Sequence, residues 1–411
     1  MVSPATGCVI VGGGLAAGKA AAALRKHGHE GPVLIIGSED ERPYIRPPLS
    51  KGYLLGKEER DSIFVHSADW YPEHDVELLL STTVISLDLD SKEVVLDGGR
   101  RMPYAKLLLA TGSSPRRLTI PGADLGNVLY LRRVGDSERL KAAFTAGSKI
   151  VVIGDGWIGL ETAAAARIAG AEVTVLGHGE LPLIKVLGRE TAEVFAGLHT
   201  EHGVLLLPGV EVERLVGTEG RVSGVQLADG RLLPADAVVV GVGITPNVEL
   251  AQHADIEVDN GIITDRHLRT SAPDVWAAGD VANAFHPWLQ RHIRVEHWAN
   301  AQNQPATAAR NMIGEDIAYE RLPYFYTDQY DLGMEYTGYV HQGGYDRVVF
   351  RGDKENRKFI AFWMSGRQVL AGMPVNVWDV IGPIRDLIRS RAGLDDAALA
   401  DPDVPLDSLL P

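Results

Sequence analysis

Two stretches of this chain repeat one pattern of apolar and small residues. In the first, Cys8-Val-Ile-Val11 is an unbroken apolar run, Gly12-Gly-Gly14 interrupts it, and an alanine-rich stretch follows over 20–24. In the second, Ile150-Val-Val-Ile153 meets Gly154-Asp-Gly156, and alanines recur over 163–166. Each is followed by a further apolar run, Val33-Leu-Ile-Ile36 and Val173-Thr-Val-Leu176. A short β-branched run bounded by glycine predicts a buried strand, and an alanine-rich stretch after the turn predicts a helix. The reading is strand–turn–helix–strand, twice, with the leading glycines 142 residues apart. This alternation implies an α/β fold with parallel sheets, and the repetition implies duplication of a nucleotide-binding unit.

The remaining sequence is patterned differently. Residues 76–113 predict antiparallel strands ending in Leu107-Leu-Leu-Ala-Thr-Gly112, and 204–244 repeat that style, ending in Ala237-Val-Val-Val-Gly-Val-Gly-Ile244. Beyond Pro323, strands are predicted over 334–340, 346–351 and 358–364, and an amphipathic helix over 376–391. The polar, proline-containing tail 394–411 is expected to dock loosely.

The glycine turns carry the first chemistry. In Gly12-x-Gly14-x-x-Ala17 the first glycine makes a tight turn, the second lets backbone approach a pyrophosphate, and the small third position lets helix and strand pack closely. The phosphates then lie at the positive end of the helix. Gly154-x-Gly156-x-x-Gly159 is the same device. A carboxylate for the ribose hydroxyls is expected after the second strand. The first unit supplies Glu39; the second has Gly177 and His178 there, with Glu180 placed beyond hydrogen-bonding position.

Composition narrows the field. The 40 basic and 54 acidic residues leave a formal charge of −14, which argues against global attraction to nucleic acid or an anionic membrane. One cysteine, Cys8, forms no internal disulfide, CxxC pair or cysteine-based zinc site. The 13 histidines show no metal-ligand spacing beside a carboxylate, so no metal is expected. The amino terminus lacks a basic segment followed by an apolar stretch and cleavage site, no apolar run approaches a bilayer span, and a cytoplasmic protein is expected.

Further motifs connect the chain to a family. They are Pro43-Tyr-Ile-Arg-Pro-Pro-Leu-Ser-Lys51, Ala110-Thr-Gly-Ser113, Gly154-Asp-Gly-Trp-Ile-Gly-Leu-Glu161, Gly243-Ile-Thr-Pro-Asn247, Thr270-Ser-Ala-Pro-Asp-Val-Trp-Ala-Ala-Gly-Asp280, Glu296-His-Trp-Ala-Asn300 and Pro323-Tyr-Phe-Tyr-Thr-Asp-Gln329. In this order they resemble the FAD-dependent ferredoxin reductases of the glutathione-reductase structural class, over about residues 7–400. The resemblance implies two Rossmann-like domains and an α+β C-terminal domain. An FAD domain would span 1–113 and 245–322, an NAD(P)H domain 114–244, and the C-terminal domain 323–411.

It also implies roles. FAD would meet Gly12, Gly14, Ala17, Glu39, Arg46, Lys51, Val84, Ala110, Thr111, Gly112, Arg132, Gly279, Asp280, Glu296, His297 and Trp298. Asp280 would reach the ribityl and phosphate region, or cap a helix, or both. NAD(P)H would meet Gly154, Gly156, Trp157, Ile158, Gly159, Glu161, His178 and Gly243. Lys51 and Glu161 would pair near the flavin N5 edge and the nicotinamide, with Trp298 as an aromatic wall. These three are the expected catalytic group. Tyr326 stands where the family often has a second tryptophan, and Gly177 where NADH-preferring members have an acid; NADH is favoured, with NADPH the alternative.

Hydride transfer between such cofactors needs geometry more than acid–base residues, so no catalytic triad is required. Disulfide reductases need a cysteine pair near the flavin, and Lys51 and its neighbours offer none. The expected acceptor is a [2Fe–2S] ferredoxin or a rubredoxin, serving a haem-thiolate monooxygenase or ring-hydroxylating dioxygenase. Such a carrier would dock on a local basic face drawn from Arg291, Arg294, Arg310, Arg385, Arg389 and Arg391. Competing readings are a direct NAD(P)H oxidase or quinone reductase, a flavoprotein similar to apoptosis-inducing factor, and a relic that keeps FAD but binds nicotinamide poorly.

Overall fold

The computed structural model describes residues 7–341 and 343–410; the amino-terminal residues on which the targeting expectation rests, and Pro411, lie outside them. The chain divides into two compact units. One comprises the chain through Arg46, Glu59–Ser114 and Ile244–Arg321; the other comprises Pro47–Glu58, Pro115–Gly243 and the chain from Leu322.

In the first unit a parallel sheet runs in the order Val275–Ala277, Lys106–Leu109, Cys8–Val11, Val33–Ile36, Val76–Leu79. Its central strands are buried on both faces, as their continuous apolar sequence requires. Helix Leu15–Lys26 packs with helix Trp298–Met312 through Ala16, Ala17, Ala20, Ala308 and Ala309, whose small side chains let the backbones approach. The antiparallel reading of 76–113 is corrected in part. Only Val84–Asp88, Glu93–Leu96 and Arg101–Pro103 form an antiparallel sheet, whereas Val76–Leu79 and Lys106–Leu109 join the parallel one. Val76–Leu79 is a sheet-edge strand, buried only at its start, so its sequence reads like a half-exposed antiparallel strand.

In the second unit the parallel order is Leu205–Leu207, Glu172–Leu176, Lys149–Ile153, Ala237–Val240, Val128–Leu129. Helix Trp157–Ile168 covers it with Ala163 to Ala166. The residues after 322 add an antiparallel sheet in the order Tyr324–Gln329, Leu332–Gly338, Gln368–Val375, Lys358–Ser365, Arg347–Asp353. Two of these strands, Tyr324–Gln329 and Gln368–Val375, go beyond the expected three. Helix Ile381–Ser390 buries Ile384, Leu387 and Ile388, one face at helical spacing. The expected loose tail is corrected. Arg347 forks onto Asp396 with two bonds of 2.6 Å, Asp395 caps helix Asp396–Ala400, and Leu399 and Leu406 are buried.

Candidate functional site

The first glycine turn is shaped by contact. Gly12 has φ +128°, and a Cβ there would lie 2.1 Å from the Ala110 carbonyl oxygen. Helix Leu15–Lys26 begins at Gly14, with no side chain capping its first N–H groups and no acid in its first turn. An uncapped positive end beside a bare backbone fits a phosphate. Ala17 is fully buried where helix meets strand. Glu39 follows the second strand. Its carboxylate accepts from Tyr44 Oη at 2.6 Å and Arg46 Nη2 at 3.0 Å, which fixes both Glu39 and Arg46 at the turn.

The other flavin-motif residues gather in the same unit. Thr111 Oγ1 donates to the Asn247 carbonyl at 2.7 Å, Asn247 Nδ2 returns a bond to the Thr111 carbonyl at 2.8 Å, and Gly112 has φ +67°. Gly279 has φ +85°, and its N–H donates to Gln304 Oε1 at 2.8 Å. Asp280 is half-buried and is followed by strand Ala282–His286, so it caps no helix; that part of the expectation is corrected. Glu296 pairs with Arg294, His297 is the N-cap residue of helix Trp298–Met312, and desolvation pushes its pKa down to about 4. Trp298 opens that helix and is half-buried. Val84 is a core residue of the antiparallel sheet.

The second turn repeats the first. Gly154 has φ +110°, with a Cβ position 2.3 Å from the Gly241 carbonyl oxygen, and a Cβ on Gly159 would lie 2.1 Å from the Gly154 oxygen. Helix Trp157–Ile168 starts at Gly156, again without a side-chain cap. The Trp157 ring packs edge-on against Phe195 and Phe325, while Ile158 is exposed. Gly243 has φ +101° and accepts the Arg116 N–H at 3.0 Å; Arg132 donates its main-chain N–H to Asp136 at 2.9 Å. Gly177 follows strand Glu172–Leu176 in a buried position, and His178 is exposed beside it.

A buried polar network surrounds Glu161, which is 5 % exposed. Its carboxylate meets Lys51 Nζ at 2.7 Å and accepts from Ser50 Oγ at 2.5 Å and Thr327 Oγ1 at 2.6 Å. Gln329 Nε2 donates to Thr327 Oγ1 at 3.2 Å, and Gln329 Oε1 lies 2.7 Å from Nε2 of the fully buried His199. Burial pushes the His199 pKa down to about 4, so it is neutral and that nitrogen is the donor. Lys51 Nζ also lies 5.6 Å from the Tyr326 ring centre, and burial pushes the Tyr326 phenol up to about 12.

Thr327, Gln329, His199 and Gln304 are absent from the sequence-derived set. The two-residue period of strand Tyr324–Gln329 was the available signal, since it puts 327 and 329 on one face. Gln304, inside a helix, carries no such signal. Among the described residues no group of three or more histidine, cysteine or acidic side chains is arranged to hold a metal, and no helix is long and apolar enough to cross a membrane.

Comparison with known proteins agrees with this arrangement. Residues 6–305 match the pyridine nucleotide-disulphide oxidoreductase family, and 324–410 match the reductase C-terminal family. The chain belongs to the pyridine nucleotide-disulphide oxidoreductases. Within this family it is 41 % identical to the ferredoxin–NAD(+) reductase component of an anthranilate 1,2-dioxygenase system from Burkholderia cepacia, over 98 % of both chains. It is 36 % identical to the putidaredoxin reductase of Pseudomonas putida, over 98 % of this chain and 96 % of that one. The reductase in a solved covalent putidaredoxin reductase–putidaredoxin complex superposes with a TM-score of 0.94 at 35 % identity, over 98 % of each chain. A ferredoxin reductase from Rhodopseudomonas palustris gives the same TM-score at 33 % identity, over 99 % of this chain and all of the other. The oxidoreductase uses FAD and NAD(H), and both glycine cradles fit the phosphates these carry. Its one cysteine is no redox partner for them. Cys8 is 1 % exposed in a central strand, and burial pushes its thiol up to about 11.

Proposed function

We propose that the protein takes a hydride from NAD(P)H onto FAD and passes electrons singly to a [2Fe–2S] ferredoxin or a rubredoxin that serves a haem-thiolate monooxygenase or ring-hydroxylating dioxygenase. The observation carrying this reading is the pairing of two built dinucleotide turns with a single, buried, poorly ionised thiol. A disulfide relay needs two accessible sulfurs; this chain has none to offer. Bound FAD supplies the step from two-electron to one-electron chemistry.

The chain's residues then bind and orient. Gly12, Gly14 and the helix that follows hold the flavin pyrophosphate, and Glu39, steadied by Tyr44 and Arg46, accepts from the ribose hydroxyls. Thr111, Gly112, Gly279 and Asp280 line the flavin chain. In this reading the FAD domain is 1–113 with 245–322, less Pro47–Glu58, which groups with the other unit; 114–244 is the NAD(P)H domain and 323–411 the carboxy-terminal domain. Gly154 to Gly159 hold the nucleotide phosphates. Glu161 fixes the Lys51 ammonium, and both steady the nicotinamide for transfer.

The docking set becomes smaller than the sequence suggested. Arg294 is buried against Glu296, with Asn260 as a further partner, and is withdrawn. Arg310 is tied to Glu315. Arg385 lies over the Tyr324 ring and donates to Thr337. Arg291 is exposed in the first unit, and Arg389 and Arg391 are exposed in the second; each is a candidate cation for an acidic carrier. A cytoplasmic site of action is in keeping with the use of NAD(P)H.

The test is cytochrome c reduction with NADH or NADPH, with and without added ferredoxin. Strong stimulation by ferredoxin supports the proposal. Rapid turnover with oxygen or a quinone and no ferredoxin effect makes the protein an oxidase or quinone reductase instead.

A further inference from the structure

The dinucleotide fold ordinarily ends its second strand with a carboxylate for the adenosine ribose. Here that residue is Gly177, which follows strand Glu172–Leu176. Its space is already filled. A Cβ on Gly177 would lie 2.2 Å from Asp155 Oδ2 and 2.8 Å from Asp155 Cγ. Gly177 is not among the residues with positive φ, so its conformation does not call for glycine; room for Asp155 does.

Asp155 is the middle residue of the Gly154-Asp-Gly156 turn, the one that cradles the nucleotide phosphates. Its carboxylate therefore stands between that turn and the strand end, where ribose hydroxyls are read. We infer that Asp155 is the ribose-recognising acid of the nicotinamide nucleotide and sets a preference for NADH over NADPH. Its two oxygens accept from the 2′- and 3′-hydroxyls, whereas a 2′-phosphate would bring about two negative charges against it.

Neighbouring groups support the assignment. The other nearby acid, Glu180, is spent on a surface ion pair with Arg189. Burial holds Asp155 above the usual carboxylate range, opposed by its own backbone N–H, His178 and Lys185. His178 and Lys185 are both exposed, so solvent screens them more than it screens the half-buried carboxylate.

This inference rests on the NAD(P)H reading proposed above. The test measures Kd for NAD+ and NADP+ on the flavin-loaded protein by calorimetry. Three forms are compared: the parent, Asp155→Asn, and the double variant Asp155→Gly with Gly177→Glu. The parent is expected to bind NAD+ more tightly. Asp155→Asn should shift the NAD+/NADP+ ratio of Kd toward NADP+ by roughly tenfold, as loss of a charged hydrogen bond implies. The double variant restores a strand-end acid and should return the ratio toward that of the parent. An unchanged ratio in Asp155→Asn, with flavin content and melting temperature preserved, overturns the inference. So does a parent that binds NADP+ as tightly as NAD+. A parent that binds neither nucleotide, with its flavin in place, overturns the NAD(P)H reading itself.

Discussion

Lys51 Nζ lies 2.7 Å from Glu161 Oε1, and the carboxylate it faces is only 5 % exposed. Removing one charge from such a pair leaves the other buried without its counter-ion, a loss of about 3 kcal/mol or more. Lys51→Met is therefore expected to lower the urea midpoint more than Glu161→Gln, which keeps polar partners for Ser50 and Thr327. Combining the two should recover part of the loss. Equal midpoints for Lys51→Met and the parent protein would show that the ion pair does not hold this part of the fold.

Gln329 joins Glu161, through Thr327, to His199. Because His199 is held neutral with a pKa near 4 against an ordinary 6.5, the unfolded chain binds the extra proton first. Stability is thus complete above about pH 6.5 and falls as the pH drops toward 4. His199→Gln should flatten that dependence while leaving a residual slope, because His297 is displaced in the same direction. Denaturant midpoints measured across this window provide the check. A slope as steep as the parent's would mean that His199 is already charged in the folded state.

The two glycine turns make separable predictions. Gly12→Ala drives a methyl into the Ala110 carbonyl, and Gly154→Ala drives one into the Gly241 carbonyl, both at positive φ. The first variant is expected to purify without flavin. The second should keep its flavin absorbance and lose affinity for NAD+. If Gly154→Ala instead loses flavin, the assignment of the two cradles is reversed.

An acidic carrier protein should sense the exposed arginines. Arg389→Glu is expected to raise the KM for ferredoxin several-fold, more at low salt than at high, with flavin reduction by NADH unaltered. Steady-state kinetics at two ionic strengths decide this. A KM unchanged at low salt removes Arg389 from the docking surface.

Which features were legible depended on how far apart their determinants lie. The glycine turns announce themselves because strand, turn and helix are contiguous, as in Cys8 to Ala17. The Lys51–Glu161 contact was accessible only through family resemblance, since nothing in either segment alone points to the other. Asp155 reads as an ordinary turn acid until Gly177 is seen to leave room for it. Thr327 and Gln329 read as neutral strand residues until Glu161 and His199 are placed beside them. Arg294 reads as a docking cation, although Glu296 two residues on, the same face of an extended chain, was a legible sign of the pair it forms. The tail misled through composition. Its polar residues hide Leu399 and Leu406, which anchor it.

The central claim is that electrons enter from a nicotinamide and leave singly to an iron–sulfur carrier, with no thiol taking part. Anaerobic stopped-flow mixing of the flavin-loaded protein with NADH, then with oxidised [2Fe–2S] ferredoxin, tests it most directly, using both the parent and Cys8→Ala. The account predicts rapid flavin bleaching by NADH, followed by reduction of two ferredoxins per NADH consumed, at the same rates in both proteins. Bleached flavin that does not reduce ferredoxin, or transfer that disappears in folded Cys8→Ala protein, would contradict it.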